Sequence, residues 1–270
     1  MKFLRFPQAG EVVWGELSGS IVHLCSGAPF EAGHCRTQER LDIRDIELLA
    51  PVAPGKIVCV GRNYAEHARE LGNEAPAEPL LFLKPPSALL PPGGRIERPP
   101  LSQRVDYEGE LAVVIGRRCR HFQRDQDPRA VIFGYTCLND VTARDLQKTD
   151  GQWTRAKGFD TFCPLGPWIE TFGEGWPADA GPRPAEWDEL HPWRGLTVET
   201  RVNGEIRQAG NTRDFIFPLA HVLEAITAVM TLEAGDVIAT GTPAGVGPLQ
   251  SGDQVGVRIA GIGELINPVR

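Results

Sequence analysis

Two glutamates stand one residue apart in the stretch VDYEGELAVVIG, residues 105–116. Side chains i and i+2 of an extended strand point to the same face, so Glu108 and Glu110 share one face. The apolar run 111–115 behind them is typical of a strand that is buried on both faces. Two like charges directed at one place need a cation or a shared proton, unless solvent screens them.

A third carboxylate, Asp140 in LNDVTARDLQ, directly follows an apolar stretch. Strand ends are places where proteins often present functional groups. Together with Glu108 and Glu110 it would form an all-oxygen site, which suits Mg²⁺ or Mn²⁺. Alternatively, the glutamates lie on a solvated strand end and Asp140 caps a helix, and the spacing leaves both interpretations open.

His67 and Glu70 are three residues apart in NYAEHAREL, and so lie on one face of a predicted helix. A carboxylate beside an imidazole orients the ring and supports its cationic form, which suits a base that activates water. The alternative is a weak ion pair on an exposed helix.

Four more side chains could bind or stabilise an anion. Lys157 lies between apolar residues and could stabilise an oxyanion or enolate, or be a surface lysine. Arg144 and Gln147 could bind a substrate carboxylate, or lie on a solvated helix face. The turn TGTPAGVG lacks a nucleotide-binding ending, but could offer N–H groups and the Thr242 hydroxyl to an anion.

Most of the predicted elements are strands. The stretch 2–24 is typical of a β-meander, and PLLFLKP at 79–85 is predicted to be a buried strand. The residues Asn203 and Gly204 predict a hairpin turn. The Pro- and Gly-rich stretch 173–193 predicts a surface loop between strands.

Two helices have clear signals. At 63–71, Asn63 and Glu66 resemble a capping box, and Gly72 is expected to end the helix. At 218–230, apolar residues recur at helical spacing after a proline.

The predicted fold class is α+β, dominated by mixed β-sheets. Pro51, Pro54 and Gly55 punctuate the chain, so we place a domain boundary near residue 50. This gives a small N-terminal β domain at 1–50 and a larger domain at 51–270.

Composition restricts the function classes. With 28 basic and 35 acidic residues the net charge is −7, which disfavours nucleic acid or an anionic membrane as partner. The first residues do not resemble a signal peptide, and no apolar run approaches the ~20 residues of a membrane span. We therefore expect a soluble cytoplasmic protein. The six cysteines show no C-x-x-C spacing, and we expect reduced, mostly buried thiols.

Taken together, these stretches resemble the fumarylacetoacetate hydrolase family. They occur in the family's order and cover residues 56 to about 260, and jointly they are far more specific than any one of them. The matching stretches are KIVCVGRNYAEHAREL, PLLFLKP, VDYEGELAVVIG, GYTCLNDVTARDLQ, KGFDTFCPLGP, VNGEIRQ and GDVIATGTPAGVG. The first 50 residues resemble the N-terminal domain of an acylpyruvase-like bacterial branch, once grouped with 2-hydroxyhepta-2,4-diene-1,7-dioate isomerases.

The resemblance implies a roll of mixed β-sheets, usually a homodimer, with Mg²⁺ or Mn²⁺ in a central cleft. The family's three carboxylate ligands match Glu108, Glu110 and Asp140. Its His/Glu dyad, on a helix that acts as a lid, matches His67 and Glu70. Its other site residues match Lys157 as the lysine, Arg144 and Gln147 as substrate contacts, and Thr242 in the Gly-rich turn.

The implied reaction is metal-assisted hydrolysis of a carbon–carbon bond in a small 2-oxo acid, such as an acylpyruvate or fumarylpyruvate. The metal would act as a Lewis acid on the 2-oxo acid, and His67, oriented by Glu70, would deprotonate the attacking water. Pyruvate would leave as an enolate stabilised by the metal and Lys157. Oxaloacetate decarboxylation, and isomerisation or hydration in aromatic catabolism, stay open for the same site, as does a ligand-binding relic without turnover.

Overall fold

The computed structural model describes residues 1–171 and 195–270, and the predicted surface loop 173–193 lies outside them. The strands up to residue 107 are β1 (Lys2–Gln8), β2 (Glu11–Ser18), β3 (Ile21–Cys25), β4 (Arg36–Asp42), β5 (Ile57–Gly61), β6 (Leu80–Lys84), β7 (Leu89–Leu90) and β8 (Val105–Tyr107). The later strands of the described chain are β9 (Gly109–Ile115), β10 (Ile132–Asn139), β11 (Thr142–Ala143), β12 (Cys163–Glu170), β13 (Thr197–Val202), β14 (Glu205–Asn211), β15 (Val237–Ala239), β16 (Gly247–Pro248), β17 (Gln254–Ile259) and β18 (Gly263–Pro268). The helices in these ranges are α1 (Ala65–Glu70), α2 (Arg144–Thr149), α3 (Thr154–Lys157) and α4 (Leu219–Val229).

The described strands form three sheets. The largest has the order β4-β3-β2-β1-β12-β10-β9-β15-β5-β6, with β7 also paired to β12. A three-stranded sheet has the order β11-β8-β16, and a four-stranded sheet the order β14-β13-β17-β18. Most neighbours are antiparallel, but β15 runs parallel to β5. The prediction of a β-rich α+β fold with mixed sheets is confirmed.

Strand β9 lies in the middle of the largest sheet and is buried along its whole length. Its alternate side chains enter two different cores. Leu111 and Val113 join the core beneath α4 and the four-stranded sheet, whereas Ala112 and Val114 join the core on the opposite face. The prediction that this strand is buried on both faces is confirmed.

The N-terminal meander continues the same sheet. Strand β1 pairs antiparallel with β12, with Lys2 opposite Glu170 and Phe3 opposite Ile169. Leu4 and Phe6 of β1 are fully buried in a small core of their own. The predicted meander is therefore present and is hydrogen-bonded to the strands that carry the site.

The hairpin and the longest helix follow their sequence signals. Asn203 and Gly204 both have positive φ and join β13 to β14, as a tight hairpin turn requires. Helix α4 buries the side chains Leu219, Val222, Leu223 and Ile226. All six cysteines are free, and four of them are buried.

Two local predictions are wrong. Helix α1 begins at Ala65 after Tyr64, and the Asn63 side chain is buried instead of capping it. The Asn63 side chain accepts from the Phe217 N–H at 2.8 Å and donates to the Thr240 carbonyl at 2.8 Å. Because distant backbone groups satisfy Asn63, no capping box forms.

Strand β6 was also predicted incorrectly as a buried strand. It is the last strand of the largest sheet, where Leu80 and Leu83 are 37% and 47% exposed. Its buried member is Lys84, at 1% exposure. An edge position exposes one side of the strand, which an apolar run alone does not reveal.

Candidate active site

Strands β9 and β10 bring the three predicted carboxylates together. Glu110 lies opposite Leu138, and the Asp140 N–H donates to the Glu108 carbonyl at 2.8 Å, so Asp140 directly follows the paired region. One carboxylate oxygen from each of Glu108, Glu110 and Asp140 lies within 4.8 Å of the others. All three residues are buried, although each carries an acidic group.

Two buried lysines neutralise part of this cluster. Lys157 Nζ lies 2.7 Å from Glu108 Oε2 and 2.5 Å from Asp140 Oδ2. Lys84 Nζ lies 2.6 Å from Asp140 Oδ1. Burial alone would lower the pKa of Lys157, but the carboxylates of Asp140 and Glu108 outweigh burial and raise the pKa, so this side chain stays charged.

Glu110 has no ion-pair partner within the described ranges. Its Oε2 accepts from the Gly241 N–H at 2.7 Å. Burial raises the pKa of Glu110 well above its ordinary value, and the charges of Asp140 and Glu108 raise it further. Burial also opposes ionisation of Glu108, but Lys157 and Arg144 outweigh it and lower the pKa of that carboxyl. The cluster therefore lacks a cationic partner on the Glu110 side among the described residues.

This donor set fits a divalent cation. Three buried carboxylates with oxygens within 4.8 Å of one another offer hard ligands only, and Lys157 lies across two of them as a cation would. The structure therefore contains an acidic site that could hold a divalent metal at Glu108, Glu110 and Asp140.

The predicted dyad forms on α1. His67 Nδ1 lies 2.8 Å from Glu70 Oε1, and the imidazole is buried. The second carboxylate oxygen, Glu70 Oε2, accepts from the Gly245 N–H at 2.9 Å. This arrangement fixes the Nδ1–H tautomer, and Nε2 has no hydrogen-bond partner among the residues the structure describes.

The carboxylates and the imidazole line one cavity of about 470 Å³. Its wall includes all the predicted site residues except Glu70: His67, Glu108, Glu110, Asp140, Arg144, Gln147, Lys157 and Thr242. Its volume lies within the ~300–1,000 Å³ typical of ligand pockets.

Of the predicted substrate contacts, Arg144 is bonded both to Gln147 and to the carboxylate cluster. Arg144 donates to Glu108 Oε1 at 2.6 Å, to Asp106 Oδ2 at 3.0 Å and to Gln147 Oε1 at 2.7 Å. Arg144 therefore orients Glu108 as well as lining the cavity. Its role as a substrate contact remains a prediction.

The N–H groups of the Gly-rich turn donate to carboxylates of the protein itself. Those at Gly241 and Gly245 donate to the carboxylates of Glu110 and Glu70. The Thr242 hydroxyl donates to the Gly109 carbonyl at 2.8 Å. The turn therefore orients site residues, and its predicted contact with substrate stays a prediction.

Three site residues were not identified from the sequence. Lys84 ends an apolar strand just before a proline, and a buried lysine there signals a carboxylate partner. Asp106 is fully buried and accepts from Arg144 and Arg104. Arg62 lines the cavity from a left-handed backbone, φ +59°, with its guanidinium 5.9 Å from the Trp153 ring centre.

Within the described ranges, no helix is both long and apolar enough to span a membrane.

Comparison with known proteins places the chain in a family. A family model described as "Fumarylacetoacetate (FAA) hydrolase C-terminal" matches residues 56–270, and a second, "Rv2993c-like, N-terminal", matches residues 1–51. Oxaloacetate tautomerase YisK of Bacillus subtilis is 40% identical over 84% of this chain and 74% of its own length.

Two solved structures share the whole fold. The 2-hydroxyhepta-2,4-diene-1,7-dioate isomerase from Mycobacterium marinum is 41% identical, with a TM-score of 0.84 over 100% of this chain and 98% of its own. The fumarylacetoacetate hydrolase from psychrophilic Exiguobacterium antarcticum is 38% identical, with a TM-score of 0.81 over 100% of this chain and 99% of its own. Since one family model covers most of the residues and these relatives cover most or all of the chain, the protein belongs to the fumarylacetoacetate hydrolase family.

Proposed function

We propose that the protein is a divalent-metal-dependent enzyme that forms the enol or enolate of a small 2-oxo acid, with His67 as its base. The observation that carries this proposal is the His67–Glu70 pair, whose imidazole lines the same cavity as the three carboxylates. The named relatives include a tautomerase, an isomerase and a hydrolase, and all three reactions of such acids involve proton transfer.

When held by Glu108, Glu110 and Asp140, a divalent cation supplies Lewis-acid polarisation of the 2-oxo group, and the oxygen-only ligands lead us to propose Mg²⁺ or Mn²⁺. Lys157 stays protonated and adds positive charge to the wall of the cavity, which stabilises an enolate. Glu70 accepts from His67 Nδ1, which leaves the Nε2 lone pair to take a proton.

The first candidate reaction is keto–enol tautomerisation of an oxaloacetate-type acid. His67 takes a proton from the carbon beside the 2-oxo group, and the proton returns at the oxygen to give the enol. The name of the Bacillus subtilis relative favours this reaction, because that protein is 40% identical over most of this chain. No attacking water is required.

The second candidate is the carbon–carbon bond hydrolysis predicted from the sequence. Here His67 takes a proton from water as the hydroxide adds to the distal carbonyl, and cleavage gives a carboxylic acid and a pyruvate enolate that is then protonated at carbon. The cavity of about 470 Å³ favours it, since a substrate with an added acyl group needs this room.

The charges of the cavity favour a 2-oxo acid with a second carboxylate. Lys157 and Arg144 are paired with acidic side chains, whereas Arg62 and Lys148 line the cavity with no ion-pair partner among the residues described. A guanidinium is the side chain best suited to a carboxylate, because its donors match both oxygens. We therefore propose Arg62 as a contact for the distal carboxylate.

A substrate panel with product identification tests the proposal. We expect metal-dependent turnover of oxaloacetate, acetylpyruvate or fumarylpyruvate. The enol as product identifies tautomerisation, and a pair of acids identifies hydrolysis. Carbon dioxide identifies decarboxylation, and an isomer of unchanged mass identifies isomerisation. His67→Gln should lower kcat at least about 100-fold.

The matched control is Glu66→Gln, an exposed change on the same helix, which should leave kcat unchanged. Full metal-dependent turnover by the His67→Gln variant would contradict the assignment of the base. Metal-dependent binding of oxalate without turnover of any substrate would instead indicate a ligand-binding relic.

A further inference from the structure

A chain of three hydrogen bonds runs from strand β8 to the dyad. The Tyr107 hydroxyl donates to the Gly245 carbonyl at 3.0 Å, and the Gly245 N–H donates to Glu70 Oε2 at 2.9 Å. Glu70 Oε1 in turn lies 2.8 Å from His67 Nδ1. Both backbone polar groups of Gly245 are therefore engaged, its carbonyl by the tyrosine and its N–H by the carboxylate that orients the imidazole.

The turn that carries Gly245 has little freedom to move. Gly245 has φ +102°, and a Cβ at this position would lie 2.2 Å from the Arg207 carbonyl oxygen. Gly247 pairs with Tyr107 in the β8–β16 ladder, and a Cβ on Gly247 would lie 2.9 Å from the tyrosine hydroxyl. The close packing excludes side chains here, so the backbone itself reaches both partners.

Tyr107 connects two parts of the site that lie on different elements. It ends β8 and directly precedes Glu108, while Glu70 and His67 lie on α1. The same turn also holds Glu110, through the Gly241 N–H at 2.7 Å. The turn therefore contacts the carboxylate cluster through Gly241 and the dyad through Gly245, and Tyr107 is hydrogen-bonded to it at Gly245.

We propose that Tyr107 is a positioning residue for His67, acting through Gly245 and Glu70; the inference rests on His67 being the base of the proposed function. Tyr107 does not line the cavity and contacts no reacting atom. By holding the Gly245 carbonyl, Tyr107 restrains the backbone of the residue whose N–H orients Glu70, and Glu70 sets the tautomer and ring orientation of His67.

A double-mutant cycle with Tyr107→Phe and Glu70→Gln tests this chain. Tyr107→Phe keeps the ring and removes only the hydroxyl, and we expect kcat to fall about fivefold with KM changed less than about twofold. Because both changes interrupt the same chain, the double variant should be no slower than Glu70→Gln alone, within about twofold.

A readout that needs no turnover is the ¹⁵N resonance of the His67 imidazole. Tyr107→Phe should move the Nδ1 and Nε2 signals toward the positions seen in Glu70→Gln, and should speed amide hydrogen exchange at Gly245. The control is Thr227→Val, which removes another buried hydroxyl that donates to a backbone carbonyl, at 2.7 Å on α4. It should lower Tm without changing kcat or the imidazole signals.

Multiplicative losses in the double variant, or unchanged imidazole signals in Tyr107→Phe, would overturn the proposal. The two proposals fail separately. If no substrate is turned over but the imidazole signals respond as expected, the hydrogen-bond chain stands and the assignment of His67 as a base falls.

Discussion

Glu108 and Glu110 have different hydrogen-bond donors, although they lie two residues apart, Glu108 directly before β9 and Glu110 within it. Glu108 accepts from Lys157 at 2.7 Å and from Arg144 at 2.6 Å, whereas Glu110 accepts from a backbone N–H. A buried charge that loses its partner costs several kcal/mol, whereas a buried carboxyl without a cationic partner has no ion pair to lose. The two carboxylates should therefore respond differently when each is neutralised.

We predict that Glu108→Gln destabilises the metal-free protein by about 3 kcal/mol, because it leaves Lys157 and Arg144 with one acidic partner fewer. Glu110→Gln should leave the metal-free protein as stable or more stable. Both variants should weaken Mg²⁺ or Mn²⁺ binding more than about 100-fold. Calorimetric titration and denaturant unfolding measure the two effects.

The exposed change Glu39→Gln serves as the control and should alter neither quantity. Equal destabilisation by the two site variants would contradict the charge distribution described for the cluster. Unchanged metal affinity in both variants would contradict the assignment of a metal site to Glu108 and Glu110.

At this scale, sequence predicts what is local. The alternation of a strand placed Glu108 and Glu110 on one face, and the strand end placed Asp140 beside them. The partners of the cluster come from far along the chain: Lys84 is 56 residues from Asp140, and Tyr107 is 138 residues from Gly245. No spacing rule covers such distances, so these contacts required the fold.

Among the elements, α1 shows why a correct helix prediction can rest on a wrong reason. The helix is present, but Asn63 does not cap it. The Asn63 side chain bonds the Phe217 N–H, the Phe217 carbonyl and the Thr240 carbonyl, and so ties the start of α1 to two distant segments. A helix cap is worth ~1 kcal/mol, whereas a buried amide with three partners is worth more.

We predict that Asn63→Ala lowers the free energy of unfolding by about 3 kcal/mol, since each of its three buried hydrogen bonds contributes ~1 kcal/mol. Asn73→Ala, in the same segment but with one hydrogen bond of 3.2 Å, should cost less than ~1 kcal/mol. Urea unfolding measures both. A loss at Asn63 no larger than that of a helix cap would restore the capping interpretation.

Strand β6 marks the limit of prediction from element patterns. Its apolar run indicates a strand, but which of its side chains is buried depends on its place at the edge of the sheet. The sequence predicted the strand and not its neighbours, and the buried member proved to be the lysine that pairs with Asp140.

For the molecule as a whole, the N-terminal strands and the site share one sheet. Strand β1 pairs with β12, β12 with β10, and β10 with β9, which carries Glu110. The division into 1–50 and 51–270 remains a prediction, and calorimetric unfolding checks whether the two parts melt together. Light scattering checks the predicted homodimer.

The pH dependence of stability follows from Glu110, a buried carboxyl with no ion-pair partner among the described residues. Burial and the charges of Asp140 and Glu108 raise the pKa of this carboxyl in the folded protein. A carboxyl with a raised folded pKa contributes full stability below its unfolded pKa, ~4.3, and that stability is lost as pH rises through the folded pKa. Glu108, whose pKa is lowered, loses its contribution only at pH values below that range.

We therefore predict that the metal-free protein loses stability as pH rises above the ordinary pKa of a glutamate, by up to ~1.4 kcal/mol per pH unit, until the raised pKa of Glu110 is passed. Mg²⁺ or Mn²⁺ neutralises Glu110, so the rise in Tm on metal addition should grow over the same interval, with proton release on binding at the acid end. Thermal melts at fixed metal concentration measure the effect. Glu110→Gln should abolish both the rise in Tm on metal addition and the loss of stability at higher pH. If wild type and variant have the same metal-free pH profile, a group other than Glu110 causes the pH dependence.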